Sequence, residues 1–164
     1  MKTIPLTKGQ VAKVSDHQYD ELNKYKWCAS YDKKMKSYYA VRMTSRTTGK
    51  RKAISMHRHV TNAPDGMVVD HIDHDTLNNQ VENLRVCTHK QNIQNQKTQA
   101  SNTSGYKGVS MFKGKWVAHI CAAAKQIHIG LYASPIDAAR AYDKAAVELH
   151  GEFAKLNFPQ PTQR

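Results

Sequence analysis

The segment 70–95, DHIDHDTLNNQVENLRVCTHKQNIQN, holds the residues best suited to chemistry. Asp70 supplies a carboxylate and Asn92 an amide oxygen, both hard donors of the kind that Mg²⁺ accepts. Only one of the two is charged, so a cation held between them keeps several waters and a net positive field, which suits a scissile phosphate. His71, beside Asp70, has an unperturbed pKa of about 6.5 and in its neutral form can take a proton from a water in line with phosphorus. Asn83 is placed to fix that imidazole by accepting its other ring proton, directly or through backbone contacts. Together these residues describe metal-assisted hydrolysis of a phosphodiester. Asp-His-Ile-Asp also fits a surface turn, and an Asn-rich helix can simply be solvated. The conjunction of Asp70-His71, Asn83 and Asn92 favours the chemistry.

The elements that must position these groups follow from local pattern. Val68 to Ile72 reads as a strand, 75–82 as an Asn-rich loop, and Leu84 to Cys87 as a second strand. Thr88 and Gln91 have capping-box spacing and open a helix. Successive strand residues point to opposite faces. Asp70 therefore faces the cation and His71 faces away, unless the pleat is distorted where the strand ends.

Upstream, VAKV, KWCAS and SYYAVRM read as short strands. Basic turns are expected at Lys33, Lys34 and Lys36 and at Thr48-Gly49-Lys50-Arg51-Lys52. Residues 54–66 form a short helix that Asn62-Ala63-Pro64 should end. Downstream, 96–103 is polar and linker-like. Then YKGVSM, KWVAHIC and QIHIGLY alternate as three antiparallel strands, with turns at Lys113-Gly114 and Ala123-Ala124-Lys125. Ser134, Pro135 and Asp137 mark a helix start and Gly151 its end. Alternation puts Trp116, Ala118, Ile120, Ile127, Ile129 and Leu131 against the Ala-rich helix. Lys115, Val117, His119, Cys121, Gln126 and His128 then face outward, with Lys107 and Lys113 near the strand ends.

Charge agrees with a polyanionic partner. The 164-residue chain carries 25 Lys and Arg against 13 Asp and Glu, a formal net charge of +12. Residues 1–66 hold 14 basic and 5 acidic side chains, 67–100 hold 3 and 4, and 101–164 hold 8 and 4. Two basic flanks thus enclose a slightly acidic centre, as a metal-dependent nuclease requires. No apolar run is long enough for a membrane span, and no signal-peptide core is expected. Cys28, Cys87 and Cys121 lie too far apart for a cysteine-type zinc site or a disulfide framework, and read as thiols in a reducing cytoplasm.

The string MHRHV…VVDHIDHDTLNNQVENLRVCTHKQNIQN resembles HNH nucleases of the ββα-metal fold, in the branch of phage homing endonucleases. The resemblance implies Asp70 and Asn92 as metal ligands, His71 as general base and Asn83 as the central Asn of the motif. His89, in the first turn of the helix, competes with Asn92, and His74 is a loop residue that can assist. His57 and Arg58 match an upstream His-Arg pair, with Arg58 as a phosphate contact and His57 equally suited to packing. Residues 104–159 resemble the Apetala-two/ethylene-response-factor DNA-binding domain, through YKGV, KWVAHI, IGLY, AARAYD and KLNFP in order. That family lays its sheet in the major groove. Several of its outward Arg positions are Ser110, Phe112, Cys121 and Gln126 here, so a different readout is expected, because Arg is the usual bidentate reader of guanine.

The expected molecule is an α+β chain. It has a β-rich basic region, 1–56, that contacts DNA; a ββα-metal nuclease unit, 57–98; a linker, 99–104; a three-stranded antiparallel sheet packed on one helix, 105–159; and a tail, 160–164. It acts on double-stranded DNA with Mg²⁺ or another divalent cation such as Mn²⁺. Lys107, Lys113, Lys115, His119, Gln126 and His128 meet the DNA. It works as a monomer in the cytoplasm of a bacterial or phage-infected cell. The alternatives are a non-catalytic DNA-binding regulator and an RNA-cutting relative.

Overall fold

A computed structural model describes residues 1–44, 50–96, 98, 102–122 and 125–159. Thr48-Gly49, the start of the second basic turn, lies outside these residues, as do part of the linker, Ala123-Ala124 and the tail. The chain forms two compact units, Met1–His89 and Lys90 onward, so the division falls inside a helix rather than at the polar stretch that follows it.

In the first unit, β1 (Lys2–Pro5) pairs antiparallel with β2 (Val11–Val14). A short helix, α1 (Tyr19–Leu22), leads to β3 (Cys28–Asp32) and β4 (Ser37–Met43), joined by the turn that holds Lys33, Lys34 and Lys36. β5 (Ala53–Ser55) adds to β4 and runs directly into α2 (Met56–Thr61). The helix expected from residue 54 therefore starts at Met56, because Ile54 and Ser55 pair with Arg42 and Val41. It ends where Asn62 turns left-handed (φ 46°), a conformation that Asn tolerates, shortly before Pro64. Ile4, Ala12, Val14, Leu22, Trp27, Ala40 and Met56 form the core. Each large apolar side chain buried there contributes about 1.5–3 kcal/mol. Trp27 satisfies its indole by donating Nε1–H to the Leu22 carbonyl at 2.8 Å.

β6 (Val68–His71) and β7 (Leu84–Cys87) are an antiparallel pair in which Asp70 stands opposite Arg85 and His71 opposite Leu84. The loop between them is held by β2. Lys13 N–H donates to the Leu77 carbonyl at 2.9 Å, and Asn79 N–H donates to the Lys13 carbonyl at 2.8 Å. Lys13 Nζ also pairs with Asp75 at 2.8 Å, and Ser15 Oγ donates to Glu82 at 3.0 Å. The N-terminal strands thus act as the scaffold of this loop. α3 (His89–Asn95) follows β7 directly.

In the second unit, β8 (Val109–Phe112), β9 (Lys115–Ala122) and β10 (Lys125–Tyr132) form an antiparallel sheet in the order β10-β9-β8. Lys113 and Gly114 both have positive φ (48° and 77°), the backbone of a tight two-residue hairpin. α4 (Pro135–His150) is capped by Ser134, whose hydroxyl accepts Ile136 N–H, and stops at Gly151. Small residues let α4 lie close to the sheet: Ala138 and Ala139 meet Val109 and Ala118, and Tyr142 and Ala146 meet Ile120.

Two of the inward placements differ from expectation: Ile127 stands opposite Ile120 but is 41% exposed and joins neither core cluster, and Leu131 is turned outward. Ile129 packs inward, but Leu131 stands opposite Val117 on the outer face and is 52% exposed. A register shift between His128 and Gly130 inserts an extra residue, and a one-residue bulge reverses every side chain beyond it.

Candidate active site

The end of β6 is a buried polar corner. Asp70 and His71 are both 6% exposed. Asp70 Oδ2 accepts from Arg85 Nε at 2.9 Å and Nη2 at 2.7 Å, a fork that their opposed registers set up. His71 lies in an aromatic cluster, its ring 5.3 Å from that of His57 and 6.3 Å from that of Tyr39, both edge-on. His71 Nε2 is buried and makes no hydrogen bond among the described residues. Burial pulls the imidazole below its ordinary pKa, while the nearby carboxylates of Asp73, Asp70 and Asp75 and the side chain of Asn79, within hydrogen-bonding reach of the ring, oppose that pull. The ring is thereby kept in the neutral form, which can accept a proton.

His57 is a packing residue. Burial, and then the neighbouring His71 and Arg58, drive its pKa down to about 4. A folded pKa below the unfolded value of about 6.5 means that the unfolded chain binds more protons between pH 4 and 6.5. The stability from burying neutral His57 is therefore complete above pH 6.5 and is lost as the pH falls through 4. The most this one group can contribute is about 3 kcal/mol. Urea midpoints measured from pH 7 to 4 should fall steeply for the wild type and less steeply for His57→Gln.

Asn83, 8% exposed, works through the backbone. Its carbonyl accepts Ile72 N–H at 3.0 Å, its Oδ1 accepts Asp73 N–H at 3.0 Å, and its Nδ2 donates to Asp73 Oδ1 at 2.9 Å and to the Asn78 carbonyl at 2.8 Å. These bonds fix the residues that immediately follow His71. Neither side-chain atom is bonded to the imidazole itself in these contacts. His74 lies in the same loop with φ 65°.

Asn92 lies on α3, three residues before the helix end at Asn95, and His89 is the first residue of that helix. A carboxylate such as that of Asp70 and an amide oxygen such as that of Asn92 are each a donor type that suits a hard cation such as Mg²⁺ or Mn²⁺. No group of three or more His, Cys, Asp or Glu side chains that suits a metal occurs among the described residues, so a closed zinc-type site is not present there.

Two of the expected phosphate contacts have other occupations. Arg58 Nη1 donates to the Met67 carbonyl at 2.7 Å, and Nη2 to Ala63 and Pro64 at 3.0 Å each, clamping the turn after α2. Lys107 Nζ is bonded to carbonyls at the end of α3. By contrast, Lys115, Gln126 and His128 are exposed and His119 half-exposed on the outer sheet face, and Lys113 is at its hairpin tip. His119, Gln126 and His128 line an open groove there with Phe112, Val117 and Leu131.

Sequence reasoning missed Arg85, Tyr39 and Asn79, the last only 1% exposed against the loop. Arg85 was recoverable in principle: pairing the two strands across their loop brings it opposite Asp70. Tyr39 comes from a separate sheet, and no local signal marks it.

Comparison with known proteins decides the family. A family model described as HNH endonuclease matches residues 56–94, the span from the start of α2 into α3. An HNH endonuclease of Acanthamoeba polyphaga mimivirus, itself uncharacterized, is 34% identical over 156 residues, covering 92% of this chain and 76% of that protein. The chain belongs to the HNH endonuclease family. Protein 3.8 of Escherichia phage T7 is 38% identical over 95 residues, 57% of this chain and 78% of its own length. The C-terminal part of this HNH protein is Apetala-two-like: an ethylene-responsive transcription factor of Arabidopsis thaliana is 50% identical over 58 residues, 34% of this chain and 32% of that one. The HNH match thus spans the buried Asp70-His71 corner, and the plant-type match is confined to about a third of the chain.

Proposed function

We propose that this HNH protein is a homing-type endonuclease that hydrolyses phosphodiester bonds in double-stranded DNA, with its C-terminal sheet as the targeting device. The observation that carries the reading is the buried Asp70-His71 pair, with His71 Nε2 unbonded and its ring kept neutral. His71 Nε2 takes the proton from the attacking water, since a buried imidazole with a free acceptor nitrogen is matched to that task. Tyr39 and His57 hold the ring edge-on from two sides, and Asn83 fixes the backbone that follows it. Asp70, oriented by Arg85, and Asn92 are the residues that would hold a divalent cation. When bound, the cation stabilises negative charge on the phosphate and on the departing 3′ oxygen.

The outer sheet face supports the targeting role. Lys113 and Lys115 supply charge for the phosphate backbone, and His119, Gln126 and His128 supply hydrogen-bonding groups for base edges. Phe112, Val117 and Leu131 place apolar surface among them, suited to thymine methyl groups.

Supercoiled plasmid incubated with the protein tests the reading. Nicked or linear product is expected with Mg²⁺ and none in EDTA, while a gel shift persists in EDTA. A shift without cutting in any divalent cation leaves a DNA-binding protein without nuclease activity.

A further inference from the structure

Lys107 stands just before β8 and is half-buried. Its Nζ donates to the Gln94 carbonyl at 2.6 Å and to the Gln96 carbonyl at 2.7 Å. Gln94 is in the last turn of α3, where carbonyls have no partner within the helix and carry the negative end of its dipole. An ammonium there satisfies two acceptors and complements the dipole. The backbone of Lys107 is equally fixed. Its N–H donates to Asn157 Oδ1 at 2.7 Å, and Asn157 Nδ2 donates back to the Lys107 carbonyl at 3.1 Å. Asn157 in turn donates from N at 2.8 Å and from Nδ2 at 3.0 Å to Asp143 Oδ1, on α4. An unbroken hydrogen-bonded chain therefore runs from α4 through Asn157 and Lys107 to the end of α3.

We propose that Lys107 is a positioning clamp, which fastens the helix that carries Asn92 to the Apetala-two-like domain and so lets the seating of that domain on DNA set the position of a metal ligand. Its catalytic consequence rests on the nuclease reading above. The clamp itself does not. Burial, and then the charge of Lys155, lower the Lys107 pKa to about 8, as befits an ammonium withdrawn from water to serve carbonyls. The division of the chain inside α3, rather than at the polar stretch after it, agrees with this attachment.

Lys107→Met keeps the aliphatic stem and removes the ammonium. Amide hydrogen exchange, which needs neither DNA nor metal, should show loss of protection in α3 with β8, β9, β10 and α4 still protected. Lys107→Arg should restore part of it. On supercoiled plasmid with Mg²⁺, Lys107→Met should lower kcat roughly 10–100-fold, the cost of misplacing a reacting group by about 1 Å. KM and the gel shift in EDTA should change by no more than about twofold, because binding groups are untouched. Unchanged α3 exchange would overturn the clamp, and so would loss of protection throughout the domain, which would make Lys107 a general stabiliser. Lost α3 protection beside a wild type that cuts nothing would uphold the clamp and reject the nuclease reading instead.

Discussion

Replacing His71 with Ala should slow DNA cleavage by about 10²–10⁴, the range expected for loss of a general base, and leave binding intact. That is about 2.7–5.5 kcal/mol of barrier. On the proposed reading, the size follows from His71 Nε2, the buried ring nitrogen without a hydrogen bond at the end of β6, acting as the proton acceptor. No neighbour can substitute: His57 has its pKa near 4 and is packed against Tyr39, and Asp70 is engaged by Arg85. Single-turnover cleavage of plasmid at saturating protein reads the chemical step. The gel shift in EDTA reads binding, and a melting curve confirms the fold. His71→Ala removes a ring from an aromatic cluster and a neighbour of the Asn79 side chain, and the fold should tolerate it at a cost of a few kcal/mol at most. His57→Ala is the contrasting variant. It should reduce stability and affect cleavage far less, because its buried ring packs edge-on against His71 and its pKa is driven down to about 4.

The second large effect is on folding. Gly108 has φ 72°, and a Cβ there would overlap Tyr142 Cδ2 and Cε2 and lie 2.6 Å from the His119 carbonyl oxygen. Neither neighbour can yield easily. Tyr142 is 3% exposed in the core with Ile120 and Ala146, and His119 N–H is bonded to the Gly108 carbonyl at 2.8 Å. Overpacking costs about 1–3 kcal/mol and the left-handed backbone about 1–2 more. Gly108→Ala should therefore lose about 2–5 kcal/mol, much of the stability of a small domain. Gly105, with φ 76° but open space around it, separates the two causes. Gly105→Ala should cost only the backbone share, about 1–2 kcal/mol. Urea unfolding followed by Trp116 fluorescence, with Trp27 replaced by Phe, isolates the C-terminal unit. Equal midpoints for the two Gly variants would contradict the close packing of Tyr142 over β8.

What the residues alone reveal depends on how local the cause is. The strand, loop, strand and helix around Asp70 were legible because turn residues and alternation are properties of neighbours, and α4 was legible because Ser134-Pro135 and Gly151 punctuate it. The inward set Trp116, Ala118 and Ile120 follows from alternation alone. Leu131 does not, because the bulge at Ile129 has no signature in composition. Arg58 and Lys107 looked like phosphate contacts because a basic side chain shows its charge and not its partners. Their partners, the carbonyls of Met67, Ala63 and Pro64 and those of Gln94 and Gln96, are set by tertiary structure. At the site, the pairing of Asp70 with Arg85 required the strand register. The placement of Tyr39 beside His71 required the packing of one sheet against another.

The proposal that matters most is that Asp70 and Asn92 would supply ligands to one cation. Mn²⁺ binding, followed by electron paramagnetic resonance of the free ion, tests it in the wild type, Asp70→Asn, Asn92→Ala and the double variant. If the two share an ion, each single change should weaken the site at least roughly 10–100-fold, the loss seen even for groups that merely support a ligand. The double variant should then be scarcely worse than the weaker single one, because one broken site cannot be broken twice. Wild-type affinity in Asn92→Ala, or two fully additive losses, would contradict it.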